Sequence, residues 1–312
     1  MNEIIQHDIN QHDIILHHYP LSLFAEKIRR ILAYKKVAWR SVEEPNMMPK
    51  PELTSLTGGY RKIPVMQIGA DIYCDTACIA RRLEELFPDP ACIPADLGGQ
   101  VAMIEDWADH RFSGQVVPAV IVEILPGLPD GILDDRAAMS PLLSKQSLTM
   151  MAPHTRSQSL LSMDELESVL RERPWLAGDQ FTLADAACYH PLWFLRYASH
   201  LYEAVEARPA LAQWVQRIDA FGPGDVTPMR RDEALRIAKV ATPVDLRVVE
   251  GMSMGDVRVG DTVAIRADDI GSEQSRGVVR RITPSEITIV REDDELGEVA
   301  VHFPRSGFVV TT

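Results

Sequence analysis

The segment 61–76 contains the residues of this chain whose types and spacing are best suited to chemistry. Pro64 stands inside a run that otherwise resembles a β-strand, where a proline cannot donate a hydrogen bond to the sheet ladder. The backbone of Ile63, immediately before it, is therefore available to pair with an extended ligand. Asp75 and Thr76 follow at the start of an amphipathic helix, where they can meet a charged end of that ligand. The segment predicts a site for a peptide-like molecule.

The elements that must position these residues alternate between strand and helix over residues 14–90. An apolar run opens the segment, and Phe24, Ile28 and Ile31 then share one face of a helical pattern. The patterns follow the order β-α-β, an irregular segment and then β-β-α, which predicts a small α/β domain. Its predicted strands cover residues 14–16, 37–42, 65–68 and 72–74, and its last helix covers residues 76–87.

Residues 99–240 have the spacing of helices. Thr182 and Asp185 are spaced as in a capping box, in which a hydroxyl and a carboxylate satisfy free backbone N–H groups where a helix begins. We therefore predict an all-helical domain, with a bend near Pro118 in its first helix. The predicted helices cover residues 101–125, 163–170, 183–197 and 229–240.

Residues 244–312 differ in composition from the rest of the chain, because they contain no lysine, tryptophan or tyrosine. Short segments of alternating polarity are separated by turns, and the turn at 259–263 resembles those of SH3-like barrels. We predict a small all-β domain here, an SH3-like barrel. Its predicted core consists of Val263, Ile265, Val278, Ile282, Ile287, Ile289, Val299, Val301 and Phe303.

Length, charge and cysteine content restrict the classes to which the chain can belong. At 312 residues it is long enough for two or three domains, and its net charge of −13 opposes nucleic acid or an anionic membrane as the main partner. Residues 1–13 resemble a flexible polar tail without a signal core, and no stretch approaches the roughly 20 apolar residues of a membrane span. The four cysteines fit a reducing compartment, and none has metal-site spacing. We expect a cytoplasmic protein without a metal.

Several motifs in order along residues 14–221 resemble those of the glutathione transferases. Ser22 begins a segment that resembles the first-helix entry of the omega class, with serine in place of the reactive cysteine; zeta-type relatives carry serine there. Residues 63–65 resemble the family's cis-proline element, and Asp75 with Thr76 resembles its acidic and hydroxyl pair. Residues 175–185 are similar to the folding signature of the family's helical domain.

The resemblance implies a thioredoxin-like domain at 14–90 that binds glutathione as co-substrate, followed by the helical domain at 99–240. The backbone beside Pro64 would pair with the cysteinyl part of glutathione, and the acidic and hydroxyl pair would bind its γ-glutamyl end. A lysine, aided by Arg61 or Lys62, would face the glycyl carboxylate. The residues implied in glutathione binding are Lys50, Ile63, Pro64, Asp75 and Thr76.

Ser22 is implied as the residue that stabilises the thiolate of glutathione. A free thiol has a pKa of about 8.5, and lowering this pKa by one unit stabilises the thiolate by about 1.36 kcal/mol. A hydrogen bond from the hydroxyl and the positive end of the following helix would both lower it. Because serine cannot form a mixed disulfide, the predicted enzyme is a glutathione S-transferase that performs conjugation, isomerisation or dehalogenation of a small electrophile.

The second substrate is predicted to bind near Phe24, Trp107 and Arg111. This pocket varies most within the family, so the sequence does not identify the electrophile. Family members are usually dimers, which implies a homodimer.

Simpler roles compete with these at each position. Serine before a helix is a common N-cap, and Tyr19 offers a second hydroxyl on the same loop. Lys50 can be a solvated side chain, and Thr76 can be a plain N-cap. Cys74 and Cys78 have the pattern of small buried hydrophobic residues rather than of a redox pair.

A different class of function is a non-catalytic binding or scaffold protein, similar to a glutathione transferase, that acts through residues 244–312. This block lies outside the resemblance and contains 13 acidic and eight basic residues. Such a balance opposes contact with a nucleic-acid backbone and favours a contact with protein. Binding of glutathione is the property that separates the two hypotheses.

Overall fold

The computed structural model describes residues 13–244 and 253–312, which form two compact units. The first comprises the described parts of Met1–Ala25, Ala38–Ile79 and Asp225–Thr312, and the second comprises Glu26–Val37 and Ala80–Gly224. Of the predicted tail at 1–13, only Asp13 is among the described residues. The units are groups of residues close in space, so the domain boundaries along the chain stay predictions.

One sheet runs through the first unit. Its strands, in chain order, are β1 Ile14–His18, β2 Trp39–Glu43, β3 Val65–Ile68, β4 Asp71–Cys74, β5 Val226–Met229, β6 Thr262–Ala267, β7 Ser275–Ile282, β8 Glu286–Asp293, β9 Gly297–Pro304 and β10 Phe308–Thr311. They lie in the order β10-β6-β7-β8-β9-β4-β3-β1-β2-β5.

The helices of both units are, in chain order, α1 Leu23–Tyr34, α2 Pro51–Thr57, α3 Thr76–Leu86, α4 Gly98–Asp106, α5 Ser113–Ile124, α6 Ile132–Met139, α7 Lys145–Glu172, α8 Leu183–Phe194, α9 Ser199–Glu206, α10 Pro209–Asp219 and α11 Arg231–Val240. A π-helical turn, Trp107–Phe112, lies between α4 and α5. None of the helices in the described ranges is both long and apolar enough to cross a membrane.

The thioredoxin-like part of the sheet matches the predicted order. β1 pairs in parallel with β2 and antiparallel with β3, and β3 forms an antiparallel hairpin with β4. The irregular segment of the prediction contains α2, which begins at Pro51, a residue well suited to the first turn of a helix. β5, which the pattern did not predict, is a four-residue edge strand beside β2 that contains Pro228.

The C-terminal strands extend this same sheet. β6 to β9 form an antiparallel meander, β10 returns to pair with β6, and β9 lies parallel to β4 with Asp71 opposite Ala300. Through these pairs the strands of residues 253–312 continue from β4, and β9 and β10 are not paired with each other in the described sheet. An SH3-like barrel therefore stays a prediction.

The core of the C-terminal strands is shared with the N-terminal part. Leu53, Leu56, Val65 and Ile72 are buried in one cluster with the side chains of β6 to β9. The predicted core members Val263, Ile265, Ile282, Ile287, Ile289, Val299, Val301 and Phe303 all lie in this cluster.

Val278 was wrongly predicted as a core residue, because it is half-buried and its neighbour Val279 is fully buried instead. A β-bulge between Val279 and Arg281 explains this difference. A bulge inserts an extra residue and so shifts the alternation of side chains, which lets Val279 and Ile282 both face the core.

The second unit is helical, and its predicted capping box is present. The Asp185 carboxylate accepts hydrogen bonds from the Thr182 backbone N–H and hydroxyl, each at 2.9 Å, and also from Trp214 Nε1 at 2.9 Å. The single helix predicted over 101–125 is interrupted by the π-helical turn, and α7 is far longer than the predicted 163–170.

A buried ion cluster within the second unit fixes the body of α1. Lys27 has no exposed side-chain surface and donates Nζ to Glu105 at 2.7 Å and to Asp109 at 2.6 Å. Burial acts to raise the pKa of Asp109, but the charges and hydrogen bonds of Lys27 and His190 outweigh it and lower that pKa to about 2.

Candidate functional site

Ser22 lies immediately before α1 and caps it. Its Oγ accepts a hydrogen bond from the Ala25 N–H at 3.2 Å, and its own N–H donates to the Tyr19 carbonyl at 3.0 Å. Capping therefore accounts for part of the role of this serine. A hydroxyl that accepts one hydrogen bond can also donate one, so the capping geometry is compatible with donation to a sulfur atom. The catalytic role of Ser22 stays a prediction.

Lys50 is not the solvated lysine of the simpler interpretation. It is 4% exposed, and its Nζ donates to the Arg61 carbonyl at 3.2 Å. The ring of Tyr19, the alternative hydroxyl, lies 5.8 Å from the same Nζ, a cation–π distance. The ammonium of Lys50 thus joins the loop after β1 to the chain two residues before Ile63.

The Ile63–Pro64 element leaves backbone groups available. The peptide bond between these residues is cis, and β3 begins at Val65, which is opposite His17 of β1. Within the described parts of the chain, the backbone N–H and C=O of Ile63 have no hydrogen-bond partner. Available backbone groups at this position are what the sequence predicts for pairing with an extended ligand.

Asp75 holds an unusual backbone conformation at the start of α3. Its φ of 76° is in the left-handed region, which Asp tolerates better than most residues other than glycine. Its Oδ1 accepts from the Ala77 N–H at 2.8 Å, and Thr76 beside it is buried. Residues held in such conformations concentrate at functional sites, which supports a role for this pair in binding.

Two acidic residues that the motifs did not predict lie beside the basic pair of the site. Glu273 Oε1 is 3.3 Å from Arg61 Nη1, and Asp269 forms an ion pair with Lys62. Both acids follow β6, more than 200 residues further along the chain than the cations. Because they lie outside the family resemblance, no motif signal was available to find them.

A buried histidine joins β9 to β4, the strand that leads to Asp75. His302 is within 2.8 Å of Asp71 through Nε2 and within 3.2 Å of Glu286 through Nδ1. Burial acts to lower the pKa of His302, but its hydrogen bonds to the two carboxylates outweigh burial and raise that pKa. Burial acts to raise the pKa of Glu286, and the hydrogen bond and charge of His302 instead lower it to about 2.

The three residues predicted to bind the second substrate lie on α1 and on the π-helical turn. Phe24 is half-buried in the first turn of α1, within the first unit. Trp107 and Arg111 lie on the π-helical turn of the second unit, where Trp107 stacks on Phe112 with centroids 5.4 Å apart and Arg111 is exposed. The pocket itself stays a prediction. No cluster of three or more potential metal ligands occurs in residues 13–244 and 253–312.

Comparison with known proteins identifies the family. Residues 16–91 match the family model of the glutathione S-transferase N-terminal domain, and residues 156–217 match that of the C-terminal domain. The crystal structure of a GST-like protein from Pseudomonas syringae is 38% identical in sequence, covers 96% of this chain and 99% of its own, and superposes with a TM-score of 0.81. The chain belongs to the glutathione S-transferase family.

Two more distant relatives carry informative descriptions. FtsZ-localized protein A of Caulobacter vibrioides is 24% identical over an alignment of 193 residues that covers 58% of this chain and 77% of that protein. A glutathione S-transferase from Methylobacterium radiotolerans, solved in complex with glutathione sulfonate, is 21% identical, covers 68% of this chain and 92% of its own, and has a TM-score of 0.51. The second likeness shows the fold alone.

The C-terminal strands are shared with one of these family members. The Pseudomonas syringae protein covers all but 4% of this chain, so it also matches most of residues 244–312. The match with the structure from Methylobacterium radiotolerans includes 92% of that structure's own chain but leaves about a third of this chain uncovered. About a third of this chain therefore has no counterpart in that glutathione S-transferase structure.

Proposed function

We propose that the chain is a glutathione transferase that binds glutathione in its first unit and activates its thiol for attack on a small electrophile. The observation that carries this proposal is the position of Ser22, a hydroxyl group before the first turn of α1. The free N–H groups and partial positive charge of a helix N-terminus favour an anion such as a thiolate. Membership of the glutathione S-transferase family supports glutathione as the ligand.

The remaining residues have roles in binding. The Ile63 backbone pairs with the cysteinyl part of glutathione, and Asp75 accepts a hydrogen bond from the γ-glutamyl ammonium. The Thr76 hydroxyl donates a hydrogen bond to the γ-glutamyl carboxylate at the start of α3, and Lys50, together with Arg61 or Lys62, faces the glycyl carboxylate. These assignments rest on the available Ile63 backbone, the left-handed Asp75 and the buried Lys50.

The chemistry requires only that more of the glutathione thiol be ionised. With a pKa of about 8.5, a free thiol is only a few per cent thiolate at neutral pH, and lowering this pKa by about two units makes thiolate the main form. In conjugation the sulfur forms a bond to the electrophilic carbon while the leaving group departs with its bonding electrons. Ser22 donates a hydrogen bond to the sulfur and forms no covalent bond in this scheme.

We also propose a cellular location and an oligomeric state for the protein. We propose a cytoplasmic location, because glutathione keeps thiols reduced in that compartment. The four cysteines are consistent with it, since all of them are buried and none forms a disulfide. A homodimer is the family expectation. The net charge of −13 supports neither nucleic acid nor an anionic membrane as a partner.

A second candidate is a non-catalytic binding or scaffold protein. One relative is named for its localisation with FtsZ and not for a reaction, which supports a protein-contact role within this family. The C-terminal strands also support it, because β9 covers the β4 edge of the thioredoxin-like sheet and Arg61 and Lys62 are paired with acidic residues. Glutathione binding and turnover distinguish the two candidates.

The test combines calorimetric titration of glutathione with conjugation rates on a panel of electrophiles. Ser22→Ala removes the hydroxyl donor and the cap, Ser22→Thr keeps both, and Ser22→Asp keeps a good cap but no hydroxyl. We expect Ser22→Thr to retain turnover and Ser22→Ala and Ser22→Asp to lose it. Ser144→Ala is the matched control, because Ser144 caps α7 in the same way by accepting from the Ser147 N–H at 3.3 Å.

The outcomes separate the hypotheses. If glutathione binds and turnover is unchanged in Ser22→Ala, the role of Ser22 is wrong. If glutathione does not bind to the wild-type protein, the enzyme proposal is wrong and the scaffold candidate stands. Equal losses in Ser22→Ala and Ser144→Ala would assign the effect to helix capping alone.

A further inference from the structure

The segment that connects β6 to β7 lies against the basic end of the candidate glutathione site. This acidic segment, residues 268–274, contains Asp268, Asp269 and Glu273 within seven residues. Its partners on the other side are Arg61 and Lys62, the two residues immediately before Ile63.

In the two ion pairs of the acidic segment, the basic side chains are held more firmly by their surroundings than the acidic ones. The side chain of Arg61 is 7% exposed and that of Glu273 is 32% exposed, while Lys62 is 22% and Asp269 is 43% exposed. The basic groups are therefore the more buried members of both pairs. A buried charge needs a partner, so these cations are compensated before any ligand arrives.

The backbone around the acidic segment is anchored. Ser275 Oγ donates to the Thr57 carbonyl at 2.7 Å, and a Cβ added to Gly59, which has a φ of 133°, would lie 2.5 Å from the Gln274 carbonyl oxygen. Only a glycine allows the two backbones to approach so closely. The C-terminal end of the segment is thus held against α2 and the residues after it, close to the ion pairs.

The resulting charge balance does not suit a carboxylate. Arg61 and Lys62 supply two positive charges and the acidic segment supplies three negative charges. Lys50, the remaining cation of the site, donates Nζ to the Arg61 carbonyl and lies beside the Tyr19 ring. An incoming glycyl carboxylate would have to compete with Asp269 and Glu273 for the same two cations, at a cost that grows as water is excluded.

We propose that the acidic segment makes this site selective for thiol peptides whose glycyl end carries no negative charge. A glycyl amide or ester of glutathione, or a glutathione extended there by an amine, would approach Asp269 and Glu273 without repulsion. An amine at this end would be attracted to them. The inference rests on the proposed function, because it refines the ligand class of the same glutathione site.

The experiment compares ligands that differ only at the glycyl end. Dissociation constants are measured by calorimetry on the full-length protein for glutathione, its glycyl amide and a glycyl amide that carries a terminal amine. We expect the amide to bind about tenfold more tightly than glutathione, and the amine at least as tightly as the amide. In the variant Asp269→Asn with Glu273→Gln, we expect glutathione to gain affinity until this preference disappears.

The control variant removes two negative charges elsewhere. Glu203→Gln with Glu206→Gln changes exposed carboxylates of α9 in the second unit, and we expect it to leave the ligand preference unchanged. If the double variant does not fold, the affinities of the wild-type protein for glutathione and for its glycyl amide are sufficient to test the inference. Glutathione binding as tightly as its amide to the wild-type protein would overturn this inference and leave the proposed function standing. Failure of all three thiols to bind would overturn both.

Discussion

Asp75 combines a strained backbone with a carboxylate at the start of α3. The left-handed φ of 76° costs free energy unless the surroundings or the function compensate it, and Oδ1 recovers some by accepting from the Ala77 N–H. Asn is the residue that best imitates this arrangement, since it tolerates the same φ and can accept the same hydrogen bond. Asn lacks the negative charge and has an N–H donor in place of the second acceptor oxygen.

We expect Asp75→Asn to reduce glutathione affinity about tenfold or more without lowering the thermal unfolding temperature appreciably. A hydrogen bond between charged groups contributes about 1.5–3 kcal/mol, and a tenfold change in affinity corresponds to about 1.4 kcal/mol. Calorimetry and thermal unfolding measure the two effects separately, with Asp179→Asn, an exposed carboxylate of the second unit, as control. Unchanged affinity in a folded Asp75→Asn protein would remove Asp75 from the site.

At the scale of residues, local spacing was enough to predict the backbone setting of the candidate-site residues that lie in short turns. Ser22, Ile63 and Asp75 each precede a helix or strand, so their backbone setting follows from nearby sequence. Asp269 and Glu273 could not be found in this way. Their contacts with Lys62 and Arg61 span more than 200 residues and depend on how the C-terminal strands pack.

The pairing of β4 with β9 contains a titratable group at its centre. His302 lies between Asp71 of β4 and Glu286 of β8, stacks on the Tyr73 ring at 4.2 Å and is also 3.2 Å from the Thr288 hydroxyl. Arg281 of β7 lies 3.9 Å from Glu286. Protonated His302 satisfies both carboxylates, and neutral His302 leaves one of them without its proton donor.

We expect the stability of the first unit to depend on pH through this network. The folded-state pKa of His302 is raised above its ordinary 6.5, so its contribution is complete below pH 6.5 and is lost as pH rises through the raised value. The pKa of Glu286 is lowered from 4.5 to about 2, so its contribution is present above pH 4.5 and is lost as pH falls toward 2. Unfolding in denaturant at a series of pH values measures both.

Comparison of the variant His302→Gln with the wild type measures how much this histidine contributes to stability at each pH. We expect the variant to destabilise the protein by about 3–5 kcal/mol below pH 6.5, because removing one partner leaves buried carboxylates uncompensated. The difference between variant and wild type should then shrink as pH rises through the raised pKa of His302. A difference that is constant from pH 5 to 9 would contradict the protonated state described for this histidine.

Gly277 tests the packing of β7 against β8. A Cβ at this position would lie 2.6 Å from the Val290 carbonyl oxygen, and the two nearest atoms belong to the backbone. We expect Gly277→Ala to destabilise the protein by about 1–3 kcal/mol, since backbone must shift to admit the methyl group. Gly114→Ala, in α5 with open space around it, should instead stabilise by about 0.5–1 kcal/mol. Denaturant unfolding of both variants measures the contrast, and two effects of the same sign would contradict it.

At the scale of elements, the sequence predicted those with strong periodicity and missed short or interrupted ones. The strands β3 and β4 and the capping box of α8 were predicted closely, because each is decided by residues within a few positions. The edge strands β5 and β10 were missed, and β5 contains Pro228, a residue that does not indicate a strand interior. The π-helical turn at Trp107–Phe112 has the same polarity pattern as an α-helix at this length, so periodicity could not reveal it.

The whole molecule differs from the prediction in how its C-terminal strands relate to the rest. Leu53, Val65, Ile72 and Cys74 are fully buried in a core that β6 to β9 complete, so these strands do not merely follow the thioredoxin-like part. Sequence composition marked residues 244–312 as distinct but could not show where their apolar face would be buried. That face is shared with α2, β3 and β4.

We expect a chain shortened to residues 1–241 to lose cooperative folding of the thioredoxin-like part. Removal of the C-terminal strands would expose the apolar cluster that includes Leu53, Leu56 and Ile72, at about 25 cal/mol for each Å² of apolar surface. Binding of a hydrophobic dye and the breadth of thermal unfolding report this exposure. A shortened protein with the dye binding and unfolding temperature of the full chain would contradict the shared core.

The pKa of the thiol in bound glutathione tests the central claim most directly. It is obtained from the ultraviolet absorbance of the thiolate as pH is varied, with the full-length protein saturating a limited amount of glutathione. We predict a pKa at least one unit below the free value of about 8.5 in the wild type, returning toward the free value in Ser22→Ala. A bound thiol with the pKa of free glutathione, or an equal shift in wild type and Ser22→Ala, would contradict the account.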